Sequence, residues 1–269
     1  MTVDTARAGT GRRRATRGRR SRRSLPGVVG LLPLLVLLGV WQVTASRSSL
    51  SFPPPSEWFA ALGSMHQQGV LLPAIGSTLA TFALSLLLAV LIGILIGMVV
   101  GGSAPGRRAL TPTLEFIRAI PPPALVPVVA ILIGASMMAS VVIVVIAIVW
   151  PILLSTAAAM RDIPPVRRDM ARSVGLTRAE QIWKVTLPSL VPAIFTGTRI
   201  AVSVSLVVTL LADILGSGNG VGRLISERQQ SYDAASVWGL LLVIGLFGYA
   251  LNALLHIAGR LLDRGRPAP

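Results

Sequence analysis

Arg161-Asp-Ile-Pro164-Pro165-Val166-Arg-Arg-Asp169-Met170-Ala171-Arg-Ser-Val174-Gly175-Leu-Thr177-Arg-Ala-Glu180-Gln-Ile182-Trp-Lys184-Val-Thr-Leu187-Pro188 is a charged, helix-forming stretch between two apolar runs of membrane-spanning length. A connection that only reverses the chain between helices needs about 2–8 residues. This one is several times longer, and it is patterned. Pro164-Pro165 fits the first turn of a helix. Val166, Met170 and Val174 recur every four residues and share one face, with Arg167, Arg168 and Arg172 off that stripe. Gly175 can take the left-handed conformation that closes a helix. Thr177 and Glu180 have capping-box spacing and open a second helix, which Leu187-Pro188 is expected to stop. The unit reads as helix, glycine turn, helix. Its apolar stripe suits either the membrane surface or the groove of a partner protein.

The class follows from what surrounds this elbow. Hydrophobic residues make up 53% of the 269 and charged residues only 13%. Soluble domains carry about 25% charged residues. Apolar runs of 18 or more residues mark an integral membrane protein, all-α and polytopic. Six spans are expected: roughly Pro26–Ala45, Thr78–Gly101, Ala119–Gly134, Met137–Ala159, Ala193–Leu215 and Val237–Leu262. The third is short and interrupted by Pro121, Pro122, Pro123 and Pro127, which a membrane tolerates only where protein or a wet cavity satisfies the freed carbonyls. Gly93, Gly97 and Gly101 on the second span form two GxxxG steps, a close-packing signal. In domain terms, 1–25 is an Arg-rich tail, 26–45 a first transmembrane helix and 46–77 an outer loop. A five-helix core follows over 78–262 with its elbow at 161–188, and 263–269 is a second tail.

Arginine placement sets orientation. With the N-terminus inside, the inner segments hold nine basic residues in Arg7–Arg23. Arg107, Arg108 and Arg118 add three, Arg161 to Lys184 six, and Arg260, Arg264 and Arg266 three more. Only Arg47, Arg223 and Arg228 fall outside, and Arg199 lies within a span. A bias of 21 to 3 places both termini in the cytoplasm. The Arg-rich tail lacks large apolar residues and reads as solvated chain held near anionic headgroups. A nucleic-acid role for it would show as salt-sensitive binding lost on deleting residues 1–24. Ser21-Arg22-Arg23-Ser24-Leu25 resembles a twin-arginine signal, but the span that follows makes it an anchor rather than a cleaved leader.

Candidate chemistry is sparse. There is no cysteine, so thiolate metal sites and disulfides are excluded. Neither His66 nor His256 begins HExxH, and GxSxG is absent. The only lysine, Lys184, follows Trp183, so no Gly-Lys-Ser/Thr loop can cradle ATP phosphates. Charges inside spans carry more weight, because they are costly there. Arg199 either snorkels, pairs structurally or meets an anionic substrate. Asp213 lies 14 residues on, about 21 Å along a helix, beside the glycine-rich Gly216–Gly222, which reads as a turn or the mouth of a broken helix. Gly218 and Gly220 are its candidate gate positions. Ser203, Ser205 and Thr209 either line a polar path or bond back to their own helix. Asn252 and His256 share one face of the last span, where interhelical hydrogen bonding is the default.

A family resemblance becomes specific at the elbow. Asp169-Met170-Ala171, Gly175 four residues on, Ile182, and Leu187-Pro188 resemble the EAA loop of ABC importer permeases. The chain departs from that pattern with Asp169 for Glu, Met170 for the first Ala, and Ile182 only seven residues after the glycine. The resemblance extends over about Pro53–Asp263. Glu115-Phe-Ile-Arg118-Ala-Ile-Pro121 is similar to a signature of the nitrate/sulfonate/taurine branch. Gly197-Thr-Arg199-Ile-Ala201, Ala212-Asp213-Ile-Leu-Gly216-Ser-Gly218-Asn-Gly220-Val-Gly222 and Leu261-Leu262-Asp263-Arg264 fit the same branch.

The resemblance implies a type I ABC importer permease fold in the inner (cytoplasmic) membrane, working as a dimer with a second permease copy. It implies a cytoplasmic ABC ATPase dimer that binds the ATP, an extracytoplasmic substrate-binding protein, and no cofactor or metal on the chain itself. It assigns ATPase coupling to Asp169, Met170, Ala171, Val174, Gly175, Leu187 and Pro188. Arg199, Ser203, Asp213, Gly218 and Gly220 are left as pathway or gate residues. The competing reading is an ion-coupled secondary transporter or channel, which requires intramembrane carboxylates; Asp213 alone is available.

Overall fold

A computed structural model describes residues 27–46, 51–216 and 218–264. The Arg-rich tail, the twin-arginine motif, Arg47 and nearly all of the 263–269 tail lie outside the described residues. Every regular element among the described residues is helical. In order they are α1 (Gly27–Thr44), α2 (Pro55–Gln67), α3 (Leu71–Gly102), α4 (Ala104–Ala119), α5 (Pro122–Ile133) and α6 (Met137–Asp162). Then come α7 (Pro165–Ser173), α8 (Arg178–Gln181), α9 (Leu187–Ile214), α10 (Val221–Gln230) and α11 (Ala234–Arg264).

Four helices are long and apolar enough to cross a membrane: Leu71–Gly102, Met137–Asp162, Arg178–Ile214 and Ala234–Arg260. The bent pair α4–α5 would make a fifth. α1 is shorter; its 18 residues reach about 27 Å. The count of six includes these last two. The expected third span, Ala119–Gly134, contains only the 12-residue α5, and reaching membrane length takes α4 as well, so this candidate is not one rod. Ile120 takes extended backbone ahead of Pro121-Pro122, as a residue before proline must, and the two helices meet at 90°.

α6 is the hub, packed between α3 and α9. In lipid no water is expelled when helices meet, so close packing and polar contacts must hold them together. Glycines on both flanking helices make that approach possible. A Cβ at Gly97 would fall 2.7 Å from Thr156 Cβ, and one at Gly101 only 2.7 Å from Met160 Cβ. On the other side, a Cβ at Gly197 of α9 would sit 2.7 Å from the Pro151 carbonyl oxygen. Ile143, Val144, Ile148 and Ile152 of α6 fill the seam and are fully buried. α11 is peripheral, with only 6% of its apolar window buried. It is held at one end by aromatic packing, where Trp58 and Trp238 stack at 5.5 Å and Trp41 meets both edge-on.

Two expectations about the elbow resolve differently. The first helix closes at Gly175 as expected: Gly175 has φ +76°, and the Leu176 N–H reaches back to the Ala171 carbonyl at 3.1 Å. The second helix does not stop at Leu187-Pro188. α8 passes through a π turn, Ile182–Thr186, directly into α9. Proline is tolerated because it sits in the first turn of α9, and the widened turn before it removes the need for its missing N–H.

Candidate functional site

The elbow is built on the ends of α6 and α9. Ile163 and Ala171 are buried, at 7% and 5% exposure, and they seat α7 against the body of the protein. The Arg168 guanidinium donates to the Met160 carbonyl at 3.1 Å, satisfying one of the orphan acceptors at the C-terminus of α6. Arg167 donates to Ser189 Oγ at 3.2 Å, and Ser189 donates to the Val185 carbonyl at 2.7 Å. α7 is thus tied to both spans it connects.

The opposite face of α7 is uncovered. Val166, Met170 and Val174 are 65%, 62% and 76% exposed. Trp183 and Ile182 of the π turn add further exposed apolar surface that the sequence pattern did not single out. Of the candidate coupling residues, Met170, Val174, Gly175 and Pro188 face outward, and Leu187 is half-buried. Asp169 is exposed and spends its charge on Arg172 at 3.7 Å. Ala171 turns inward as a packing residue. The capping box forms in full: Thr177 Oγ1 accepts the Glu180 N–H while the Glu180 carboxylate accepts the Thr177 N–H. The Lys184 ammonium at 2.8 Å, reinforced by Thr177, holds the Glu180 carboxyl low, at about 2.

At the other end of the bundle, Asp213 is buried at 1% exposure. Its carboxylate accepts from Thr78 Oγ1 of α3 at 3.3 Å, and the backbone N–H groups of Gly220 and Gly222 also reach it. Thr78 Oγ1 in turn accepts the Val221 N–H at 2.8 Å. A Cβ at Gly218 would overlap the Asp213 carboxylate and lie 2.9 Å from Ser140 Oγ. One at Gly220 would strike both Asp213 and Thr78. These glycines exist so that backbone can wrap a buried carboxylate. The result is a clasp joining α3, α9 and α10. Thr78 was not legible as its member from spacing alone, because it comes from another helix.

Along α9, Ser205 and Thr209 lie on the buried face below Asp213, and their hydroxyls have no hydrogen-bond partner among the described residues; the same holds for Ser140 and Thr156 of α6. Ser203 instead bonds back to the Arg199 carbonyl at 3.3 Å. Arg199 points toward α11, where its guanidinium meets the His256 ring at 3.2 Å. The structure therefore separates Arg199 and Ser203, on the α11 side of α9, from Asp213, Gly218 and Gly220 at the clasp. No cluster of three or more metal-ligating side chains occurs among the described residues.

Residues 89–266 match the family model described as "Binding-protein-dependent transport system inner membrane component". The chain is 32% identical over 237 residues to the nitrate import permease protein NrtB of Leptolyngbya laminosa, covering 84% of this chain and 85% of that one. It is 29% identical over 225 residues to the taurine transport system permease protein TauC of Escherichia coli K12, covering 81% and 82%. Its fold superposes on a chain of the MetNI methionine ABC transporter in an inward-facing conformation. That match has a TM-score of 0.61 at 20% identity, over 74% of this chain and 97% of that one.

Proposed function

The chain belongs to the family of binding-protein-dependent transport system inner membrane components, and from that premise we propose that it carries a small anion inward through the membrane when a separate ATPase pulls on its elbow. It is a permease subunit of an ABC importer, not an enzyme. Nitrate and taurine are what its named relatives carry, and a small oxyanion or sulfonate is the substrate class that fits this chain. A substrate-binding protein delivers the solute at the clasp end.

The observation that carries the coupling role is the exposed stripe Val166, Met170 and Val174 on a helix whose other face is buried and whose arginines grip α6 and α9. An apolar stripe on a rigidly mounted helix fits a partner groove. Within the elbow 161–188, Met170, Val174 and Gly175 meet the ATPase. Asp169, Ala171, Leu187 and Pro188 hold the elbow's shape. Two permease copies work together on an ATPase dimer, with both termini in the cytoplasm. Nucleotide binding draws the two elbows together, and the bundles swing as rigid bodies between inward-open and outward-open. The clasp of Asp213, Gly218 and Gly220 guards the outer end of the path, and Arg199 and Ser203 lie along it.

The test is uptake into proteoliposomes holding the permease, its ATPase and its binding protein. Accumulation of nitrate or a sulfonate is expected only with ATP on the ATPase side. Accumulation by the permease alone would replace this reading with an ion-coupled carrier.

A further inference from the structure

α9 and α11 touch closely at two points and part between them. Toward the clasp, Gly248 of α11 lets Leu206 of α9 approach, with a Cβ there only 3.3 Å from Leu206 Cδ2. Toward the elbow, Gly259 does the same for Phe195, at 3.4 Å. Between the two pinch points lies a cleft of about 190 Å³, walled by Val202, Leu206 and Leu255 and lined by the polar side chains of Ser203 and Asn252. One turn toward the elbow on each helix, beyond the residues that wall the cleft, the exposed side chains of Arg199 and His256 meet at 3.2 Å.

The chemistry of this cluster is one-sided. Arg199 makes no ion pair with a carboxylate among the described residues; its partner is a ring nitrogen. An arginine inside a span without a counter-charge is costly, and such residues face protein or a wet cavity and mark ion paths. Guanidinium offers five N–H donors and no acceptor. Whichever His256 nitrogen accepts from Arg199, the other is left as a donor. The Asn252 amide adds N–H donors, and the Ser203 hydroxyl, whose one hydrogen goes to the Arg199 carbonyl at 3.3 Å, can donate to an anion only by turning away from it. Positive charge and several donors, with no carboxylate, describe a receptor for an anion. Drug-sized ligands occupy about 300–1,000 Å³, so this cleft suits a solute of a few heavy atoms.

We propose that Arg199, His256, Asn252 and Ser203 form an anion-binding site in the α9–α11 cleft, which holds a small oxyanion or sulfonate on its way through the membrane. The proposal rests on the small-anion permease reading and gives it a location. The guanidinium supplies the charge and a planar fork matched to paired oxygens. The contact with His256 holds the guanidinium one turn from the cleft wall, and Asn252 and Ser203 replace part of the anion's hydration.

The chain has two histidines, which makes the test direct. His66 lies at the end of α2, far along the chain from the cleft, and serves as the internal reference. The transporter complex with 15N-histidine-labelled permease is placed in nanodiscs and titrated with nitrate, then with methanesulfonate, against gluconate at matched ionic strength. A saturable shift of the His256 resonances is expected, with His66 unmoved. Arg199→Gln should weaken the titration by about tenfold or more, the loss of one charged hydrogen bond, and Arg199→Lys should fall between. A silent His256, or an unchanged titration in Arg199→Gln, overturns the site. If the same complex imports an anion with ATP while His256 stays silent, only the site fails. If the imported solute is uncharged or cationic, the small-anion reading fails and takes the site with it.

Discussion

The Thr78 hydroxyl stands between two groups 135 and 143 residues away: it donates to the Asp213 carboxylate at 3.3 Å and accepts the Val221 N–H at 2.8 Å. One side chain on α3 therefore holds both the end of α9 and the start of α10. The carboxylate is tolerated at 1% exposure because Thr78 and two glycine N–H groups satisfy it. Breaking either of the Thr78 bonds strands a buried polar group, so the clasp resists loosening.

Thr78→Val removes both bonds while keeping the shape. It leaves the Val221 N–H and one carboxylate oxygen without their partner, a cost of about 1–3 kcal/mol. The chain has no cysteine, so a single Asn219→Cys reporter is unambiguous. Its labelling by a membrane-impermeant maleimide is expected to speed up in the Thr78→Val background. An unchanged rate would mean that the clasp does not keep this loop closed.

Gly218→Ala and Gly220→Ala each place a methyl on the Asp213 carboxylate. Both should displace the loop and reduce transport strongly. Gly76→Ala, with nothing within 4 Å of the added methyl, should transport normally. Uptake assays on the three variants, normalised to membrane-inserted protein, check this.

Overpacking the α3–α6 seam should act on stability. At Gly97 the added methyl meets Thr156 Cβ at 2.7 Å, and neither helix can yield without dragging Ile152 and Gly93 along. Gly97→Ala is expected to cost about 1–3 kcal/mol, read as a lower midpoint of denaturant unfolding in detergent micelles.

How much of this could be read beforehand depends on whether a signal is local or crosses between helices. The glycine ladder of α3 and the capping box at Thr177 are local patterns, and both meet the partners their spacing implied. The elbow's helix-turn-helix shape was legible for the same reason. Its continuation through a π turn was not, because Pro188 reads as a stop unless the turn before it is known to be wide. Ala171 belongs to the same motif but is buried, about 100° around the helix from the centre of the Val166–Met170–Val174 stripe, where it seats α7. Thr78 and the Arg199–His256 contact depend on which helices become neighbours, which no periodicity encodes.

Arg168 separates grip from docking. Arg168→Ala removes the bond to the Met160 carbonyl without touching the exposed stripe. The ATPase should still bind and hydrolyse ATP, while the number of solutes moved per ATP falls. Simultaneous assays of phosphate release and uptake give that ratio; an unchanged ratio would leave Arg168 a surface residue only.

The claim that energy enters at the elbow is tested most directly by purifying the ATPase through its permease. Wild-type permease is expected to retain the ATPase through affinity purification, and Met170→Glu with Val174→Glu is expected to lose it while remaining inserted and folded. Charges on the Val166–Met170–Val174 stripe that leave ATPase binding and ATP-driven uptake intact would contradict the claim.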